Sequence, residues 1–121
     1  MRWRLVDRID SLISGESAQG AMTWHADSEF FEDHFPRFPV VPGVLLLEAR
    51  AQLGGKLIGY TVRVERGDWP FPILSMMNGV KFRKFVRPDE EVILHTKLVS
   101  LREEMAVVQA QARCGGRTVA Q

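Results

Sequence analysis

Between Pro42 and Tyr60 the chain carries Val44, Leu45, Leu46, Leu47, Ala49, Ala51, Leu53, Leu57 and Ile58, and little that is polar. A segment that is apolar on nearly every face predicts a buried helix. Pro42 suits its first turn, where a missing N–H costs nothing. Some 18 residues would span roughly 27 Å at the helical rise. Gly54, Gly55 and Gly59 lower the helix propensity and allow close backbone approach. With 121 residues the chain has room for one domain and one core, so the remainder must cover this helix.

The remainder is mostly strand-like. Residues 73–86, 91–101 and 105–114 are β-branched or alternating runs, separated by Arg87-Pro88-Asp89-Glu90 and by Leu101-Arg102-Glu103-Glu104. Gly115-Gly116 predicts a two-residue hairpin turn into a short strand over 117–120. Residues 18–26 alternate weakly. Residues 4–13 place Leu5, Val6, Ile9, Leu12 and Ile13 at a spacing that suits a helix, while their β-branched members keep a strand open. Asp27 or Ser28 would cap a short helix holding Phe30 and Phe31, ending before Pro36. Residues 62–72 carry charges, Gly67, Pro70 and Pro72 and read as a loop. One long helix with several antiparallel strands is an α+β domain over residues 1–121, its sheet curled around the helix. An open sheet edge would invite a second subunit.

Composition narrows the function. The net charge of +1 supplies no global field for nucleic acid. Cys114 is the one cysteine, so no intrachain disulfide forms, and His25, His34 and His95 lack the spacing of a metal site. No stretch has the length of apolar sequence that spans a bilayer, and Met1-Arg2-Trp3-Arg4 does not lead into a secretion signal. The expectation is a cytoplasmic protein without a bound metal.

Three residues stand out for chemistry. Glu48 interrupts the apolar helix, and an unpaired carboxylate in a dry core is costly. Taken alone, the ordinary explanation comes first: Glu48 faces outward, or pairs with Arg50, Gln52 or Lys56. Gln52 lies one helical turn on, where its amide would reach the carboxylate. His34 opens a segment stiffened by Pro36, Pro39 and Pro42, and histidine suits proton transfer near neutral pH. Gly43 falls at the helix start, where unpaired N–H groups and the dipole favour negative charge. A base, a carboxyl and an oxyanion-type donor make a possible elimination site.

The run His34 to Gln52, HFPRFPVVPGVLLLEARAQ, resembles the signature of bacterial 3-hydroxyacyl-[acyl-carrier-protein] dehydratases, His-Phe-Pro-x-x-Pro-x-x-Pro-Gly-x-Leu-x-x-Glu/Asp-x-x-x-Gln. The match is in register throughout. Leu5-Val6-Asp7-Arg8, Phe30-Phe31-Glu32-Asp33 and Val80-Lys81-Phe82-Arg83 are similar to further family segments. Glu at position 48, where the isomerising form carries Asp, resembles the form that only dehydrates.

That resemblance implies a hotdog fold, an antiparallel sheet wrapped around one long central helix. It implies a homodimer, in some members a hexamer built as a trimer of dimers, with active sites at the subunit interface. His34 of one subunit would then face Glu48 of the other. The implied reaction turns a (3R)-3-hydroxyacyl-[acyl-carrier-protein] into the trans-2-enoyl thioester, in fatty acid or related polyketide or lipid synthesis. His34 and Glu48 would be catalytic, Gly43 would bind the thioester carbonyl, the Val40 carbonyl would orient His34, and Gln52 would hold Glu48. A buried Glu48 with a raised pKa would suit the acid role. No cofactor is implied beyond the phosphopantetheine of the acyl carrier protein. Lys81, Arg83, Lys84 and Arg87 form a basic cluster that would dock that acidic partner, although alternating charges on a strand ordinarily mark a solvated face. Met76, Met77 and Phe82 would line the acyl tunnel or simply pack in the core.

Arg37 and Phe38 depart from the family pattern, which commonly has Gly after His-Phe-Pro, and they bear on substrate length. Two other readings compete: a hotdog thioesterase using the helix carboxylate, and a non-catalytic dehydratase-like partner subunit or acyl binder. Both His34 and Glu48 being present argues against the second.

Overall fold

The computed structural model describes residues 5–27, 40–67, 85–102 and 105–121. In chain order the elements are β1 (Arg8–Ile13), β2 (Ser17–Thr23), α1 (Gly43–Arg66), β3 (Glu91–Leu101), β4 (Ala106–Cys114) and β5 (Arg117–Ala120). The strands form one antiparallel sheet in the order β1-β2-β3-β4-β5. The helix packs on one face of it, against β1 to β4. The α+β arrangement expected from the sequence is present. The short helix expected after Asp27 and the strand expected over 73–86 fall outside the described residues, except for 85–86, which form no strand.

Period-two alternation sets the inner face. Ala18, Gly20 and Met22 of β2 stand opposite Thr96, Leu94 and Val92 of β3. Leu94 and Thr96 in turn oppose Ala112 and Ala110 of β4. Ala18, Val92, Leu94 and Ala112 are fully buried beneath the helix. The outer face runs Gln19, His95, Gln111, a polar row across three strands. One apolar and one polar face is the usual condition of an antiparallel sheet covered on one side.

The ambiguous first segment is strand β1. A tight turn after Ile13, with Glu16 N–H donating to Ile13 O at 3.0 Å, returns the chain along β1. Leu12 packs against the core while Ile9 and Ile13 stay exposed, so the helix-like spacing was coincidental. At the other end of the sheet Gly115 and Gly116 take φ of 58° and 79°, as the expected hairpin turn requires.

Helix α1 departs from expectation at both ends. Pro42 is the N-cap, one position before the helix proper. The helix continues to Arg66, through part of the stretch read as a loop. Its stop is Gly67, in the left-handed region at φ 75°, with its N–H bonded to Arg63 O at 3.0 Å. Arg63 and Glu65 are exposed, the solvated face of a helix tail, and Thr61 Oγ1 accepts the Gly15 N–H at 2.9 Å. Nor is the helix buried all round in the single chain. Leu46, Ala49, Leu53 and Leu57 face the sheet at 2% exposure or less, while Glu48, Lys56 and Tyr60 are exposed. Of Gly54, Gly55 and Gly59, Gly54 alone meets a close neighbour: a Cβ there would lie 3.3 Å from Val108 Cγ2, whereas one at Gly55 or Gly59 would meet nothing within 4 Å. No helix among the described residues is long and apolar enough to cross a membrane.

Arg50 sits in the sheet-facing stripe at 4% exposure. Its Nε donates to Leu46 O and its Nη1 to Ala110 O, both at 3.4 Å, and its Nη2 has no partner. No carboxylate among the described residues pairs with it, and burial pulls its pKa down. A buried cation with incomplete bonding costs stability that an apolar side chain of similar volume would not. Replacing Arg50 with Leu is therefore expected to raise the unfolding free energy by roughly 1–4 kcal/mol in urea titration; a loss of stability would contradict this account of Arg50. Cys114, opposite Val92, is half-buried at the edge of the core. Burial and its bond to Glu90 Oε2 at 3.3 Å push the thiol up to about 11. At pH 8 its alkylation is expected to be about two orders of magnitude slower than that of free cysteine, and faster in Glu90→Gln. A rate equal to that of free cysteine would show the thiol to be unperturbed.

Candidate active site

The approach to the helix is held extended. Val40 and Val41 are buried, and Val41 N–H donates to Val86 O at 2.7 Å. Pro42 follows with φ −56° and ψ 136°, a conformation that cannot continue as helix but leads into one. Leu45 N–H bonds back to Pro42 O at 3.0 Å, closing the first turn. No side chain caps this end, and no acidic residue lies in the first turn. The N–H groups of Gly43 and its successor thus keep the donor capacity, and the partial positive charge, of a free helix N-terminus. Gly43 is half-buried, and without a Cβ it lets an acceptor approach its N–H.

Glu48 lies two residues from Leu46, about 200° round the helix axis. Because Leu46 is clamped against the sheet, Glu48 is turned to the exposed side. Its partner is Gln52, one turn further on, whose Nε2 donates to Glu48 Oε1 at 3.4 Å. Arg50 turns the opposite way, into the core, so of the partners weighed from the sequence the amide is the one found. The expected burial of Glu48 is not met in the single chain. The residue stands on the open flank, beside the half-buried Leu45 and Leu47.

Gln52 is itself anchored. Its Oε1 accepts the backbone N–H of Leu5 at 2.7 Å. Leu5 is 7% exposed, and Asp7, two residues on, ties this segment to β2. Asp7 N–H donates to Ala21 O at 2.8 Å, and its Oδ2 accepts Thr23 N–H at 2.9 Å. The first described residues, β2, Gln52 and Glu48 are therefore linked by one series of hydrogen bonds. Leu5 was not among the site residues foreseen. A main-chain donor has no signature in the sequence, and only the packing of this segment beside α1 reveals it.

Several foreseen residues lie outside the described ones: His34, Arg37, Phe38, Met76, Met77, Lys81, Phe82, Arg83 and Lys84. Arg87 is described. It is exposed in the turn before β3, with its N–H donating to Glu90 Oε1 at 2.7 Å. The structure thus brings together Gly43, Glu48 and Gln52 on one helix, with the buried Val40 at its approach. No group of His, Cys, Asp and Glu among the described residues is arranged to hold a metal ion.

The profile of the FabA-like domain family matches residues 1–121. The 3-hydroxyacyl-[acyl-carrier-protein] dehydratase FabZ of Pediococcus pentosaceus is 35% identical over 116 residues, 96% of this chain and 76% of that protein. FabZ of Lactiplantibacillus plantarum is 38% identical over 112 residues, 93% of this chain and 74% of that protein. Among solved structures, the dehydratase heterocomplex ApeI:P from Xenorhabdus doucetiae superposes with a TM-score of 0.64 at 18% identity, over 99% of this chain and 93% of that one. A hypothetical thioesterase with coenzyme A from Streptococcus pneumoniae does so at 0.67 and 12% identity, over 93% and 80%. Likenesses so distant in sequence show the fold alone, and that fold is the hotdog. Sequence profile and relatives agree, and the chain belongs to the FabA-like family of bacterial 3-hydroxyacyl-[acyl-carrier-protein] dehydratases.

Proposed function

We propose that this chain dehydrates a (3R)-3-hydroxyacyl-[acyl-carrier-protein] to the trans-2-enoyl thioester in fatty acid or a related lipid or polyketide synthesis. The observation that carries the reading is the placement of Glu48. It stands on the open flank of α1 between an uncapped helix N-terminus and an anchored amide.

His34 takes the proton from C2 of the substrate. The electron pair forms the C2=C3 bond, the C3–O bond breaks, and the departing hydroxyl takes a proton from Glu48 to leave as water. The Gly43 N–H, at the positive end of the helix, stabilises charge that develops on the thioester oxygen. Proton return from His34 to Glu48 through water completes the cycle. Electrophile, acid and base all come from the chain itself, so the reaction runs without metal or redox cofactor.

The working unit is a homodimer, with His34 of one subunit opposite Glu48 of the next. The half-buried apolar residues Leu45 and Leu47, next to Glu48 on the helix, support this. Covering them would take Glu48 out of water and into the apolar setting an acid needs. Trimerisation of such dimers would give the hexamer. Lys81, Arg83, Lys84 and the exposed Arg87 receive the acidic carrier protein, whose phosphopantetheine delivers the acyl chain in the cytoplasm.

Incubation with a 3-hydroxyacyl thioester of acyl carrier protein is expected to yield the enoyl thioester, read by mass spectrometry. His34→Ala and Glu48→Gln are each expected to lower kcat by about 10²–10⁴-fold with folding retained. Release of free thiol without enoyl product would make the chain a thioesterase. Full activity in both variants would remove these residues from the mechanism.

A further inference from the structure

An amide has a donor end and an acceptor end, and its neighbours decide which way it faces. The Leu5 N–H can only donate, and it lies 2.7 Å from Gln52 Oε1. The opposite orientation would set N–H against N–H and leave the Leu5 donor unpaired in a mostly buried position. Asp7, two residues on, anchors the segment that carries this donor through its two bonds to β2. The NH2 end of Gln52 therefore faces Glu48, and it donates to Oε1.

From this geometry, and resting on the dehydratase reading above, we infer that Leu5 and Gln52 are positioning residues that give the two oxygens of Glu48 different tasks. Oε1 is a permanent acceptor. In a neutral carboxyl the carbonyl oxygen accepts better than the hydroxyl oxygen, so with the Gln52 N–H on Oε1 the acid proton resides on Oε2. Oε2 delivers that proton to the departing hydroxyl as the C3–O bond breaks. The O–H electron pair stays on the carboxylate, and the Gln52 N–H stabilises the charge that results. The Leu5 main chain thus fixes which oxygen of Glu48 faces the substrate, one residue removed from the chemistry.

Position 52 must then supply a donor, and a glutamate there supplies one only while it holds a proton. In Gln52→Glu one carboxylate oxygen still accepts the Leu5 N–H, and the other donates to Glu48 when both carboxyls are protonated. The test compares kcat, as a ratio to the parent at each pH, for Gln52→Glu and Gln52→Met. Taking the ratio cancels the pH dependence that parent and variant have in common. Gln52→Met is expected to fall about tenfold at every pH, with KM for the acyl-carrier substrate little changed. Gln52→Glu is expected to exceed Gln52→Met at low pH, with its advantage lost as pH rises and the carboxyl at position 52 gives up its proton. Hydrogen exchange of the Leu5 amide, followed by NMR, is expected to be slow in the parent and in Gln52→Glu and fast in Gln52→Met. Flat, parallel ratios for the two variants, or a Leu5 amide that exchanges equally in all three proteins, would overturn the inference. If the parent forms enoyl product, such a result leaves the dehydratase reading standing. If the parent forms none, both fall.

Discussion

The seating of α1 on the sheet governs everything else in this molecule. Leu46, Ala49, Leu53 and Leu57 enter the face made by Val92, Leu94 and Ala112, and all are at 2% exposure or less. Each buried leucine contributes roughly 1.5–3 kcal/mol relative to an exposed one. The stripe therefore fixes the rotation of the helix about its axis as well as its position. A helix turned by one residue would carry a leucine into water and bring a polar side chain inside. Because side chains advance about 100° per residue, fixing Leu46 also fixes where Glu48 and Gln52 emerge.

The chemistry grows from that constraint. Helix α1 presents a positively polarised start, then a carboxyl, then an amide, in about two and a half turns. Proline-restricted backbone sets the entry, with Val41 tied to Val86. The segment before β1, tied to β2 through Asp7, holds the amide. Two parts of the chain far apart in sequence thus converge on one carboxyl, and neither relies on a flexible side chain reaching out from a loop. Arg50 shows the opposite economy. It faces the sheet two residues beyond Glu48 and leaves Nη2 unpaired, and neither stability nor the proposed reaction explains its presence.

How much of this was legible in the sequence varied with the kind of information each element needs. The strands over Glu91–Leu101 and Arg117–Ala120 and the Gly115-Gly116 turn are local features, and their residues declare them. The helix was plain for the same reason. Its end was not, because the exposed Arg63 and Glu65 resemble a loop as readily as a solvated last turn. Strand β1 was undecided because the spacing of its apolar residues suits a helix while the β-branched Ile9 and Ile13 suit a strand, and pairing with β2 settles it. At the site, Glu48 taken alone suggested an outward residue paired with a neighbour, and that local description is what the single chain shows. Its catalytic meaning came from the motif as a whole, with His34 and Gly43. The Leu5 donor lay beyond any reading of side chains, since every residue but proline carries the same N–H.

The proposed reaction requires a base and an acid contributed by different copies of the chain. Mixing the two inactive variants measures it directly. When His34→Ala and Glu48→Gln chains are unfolded together and refolded as mixed dimers, each heterodimer holds one damaged pair and one intact pair. Random pairing then restores about one quarter of the parent's active sites, and a corresponding fraction of enoyl-forming activity returns. If the mixture stays as inactive as its components while heterodimers form, base and acid belong to the same chain, and the shared site described above does not exist.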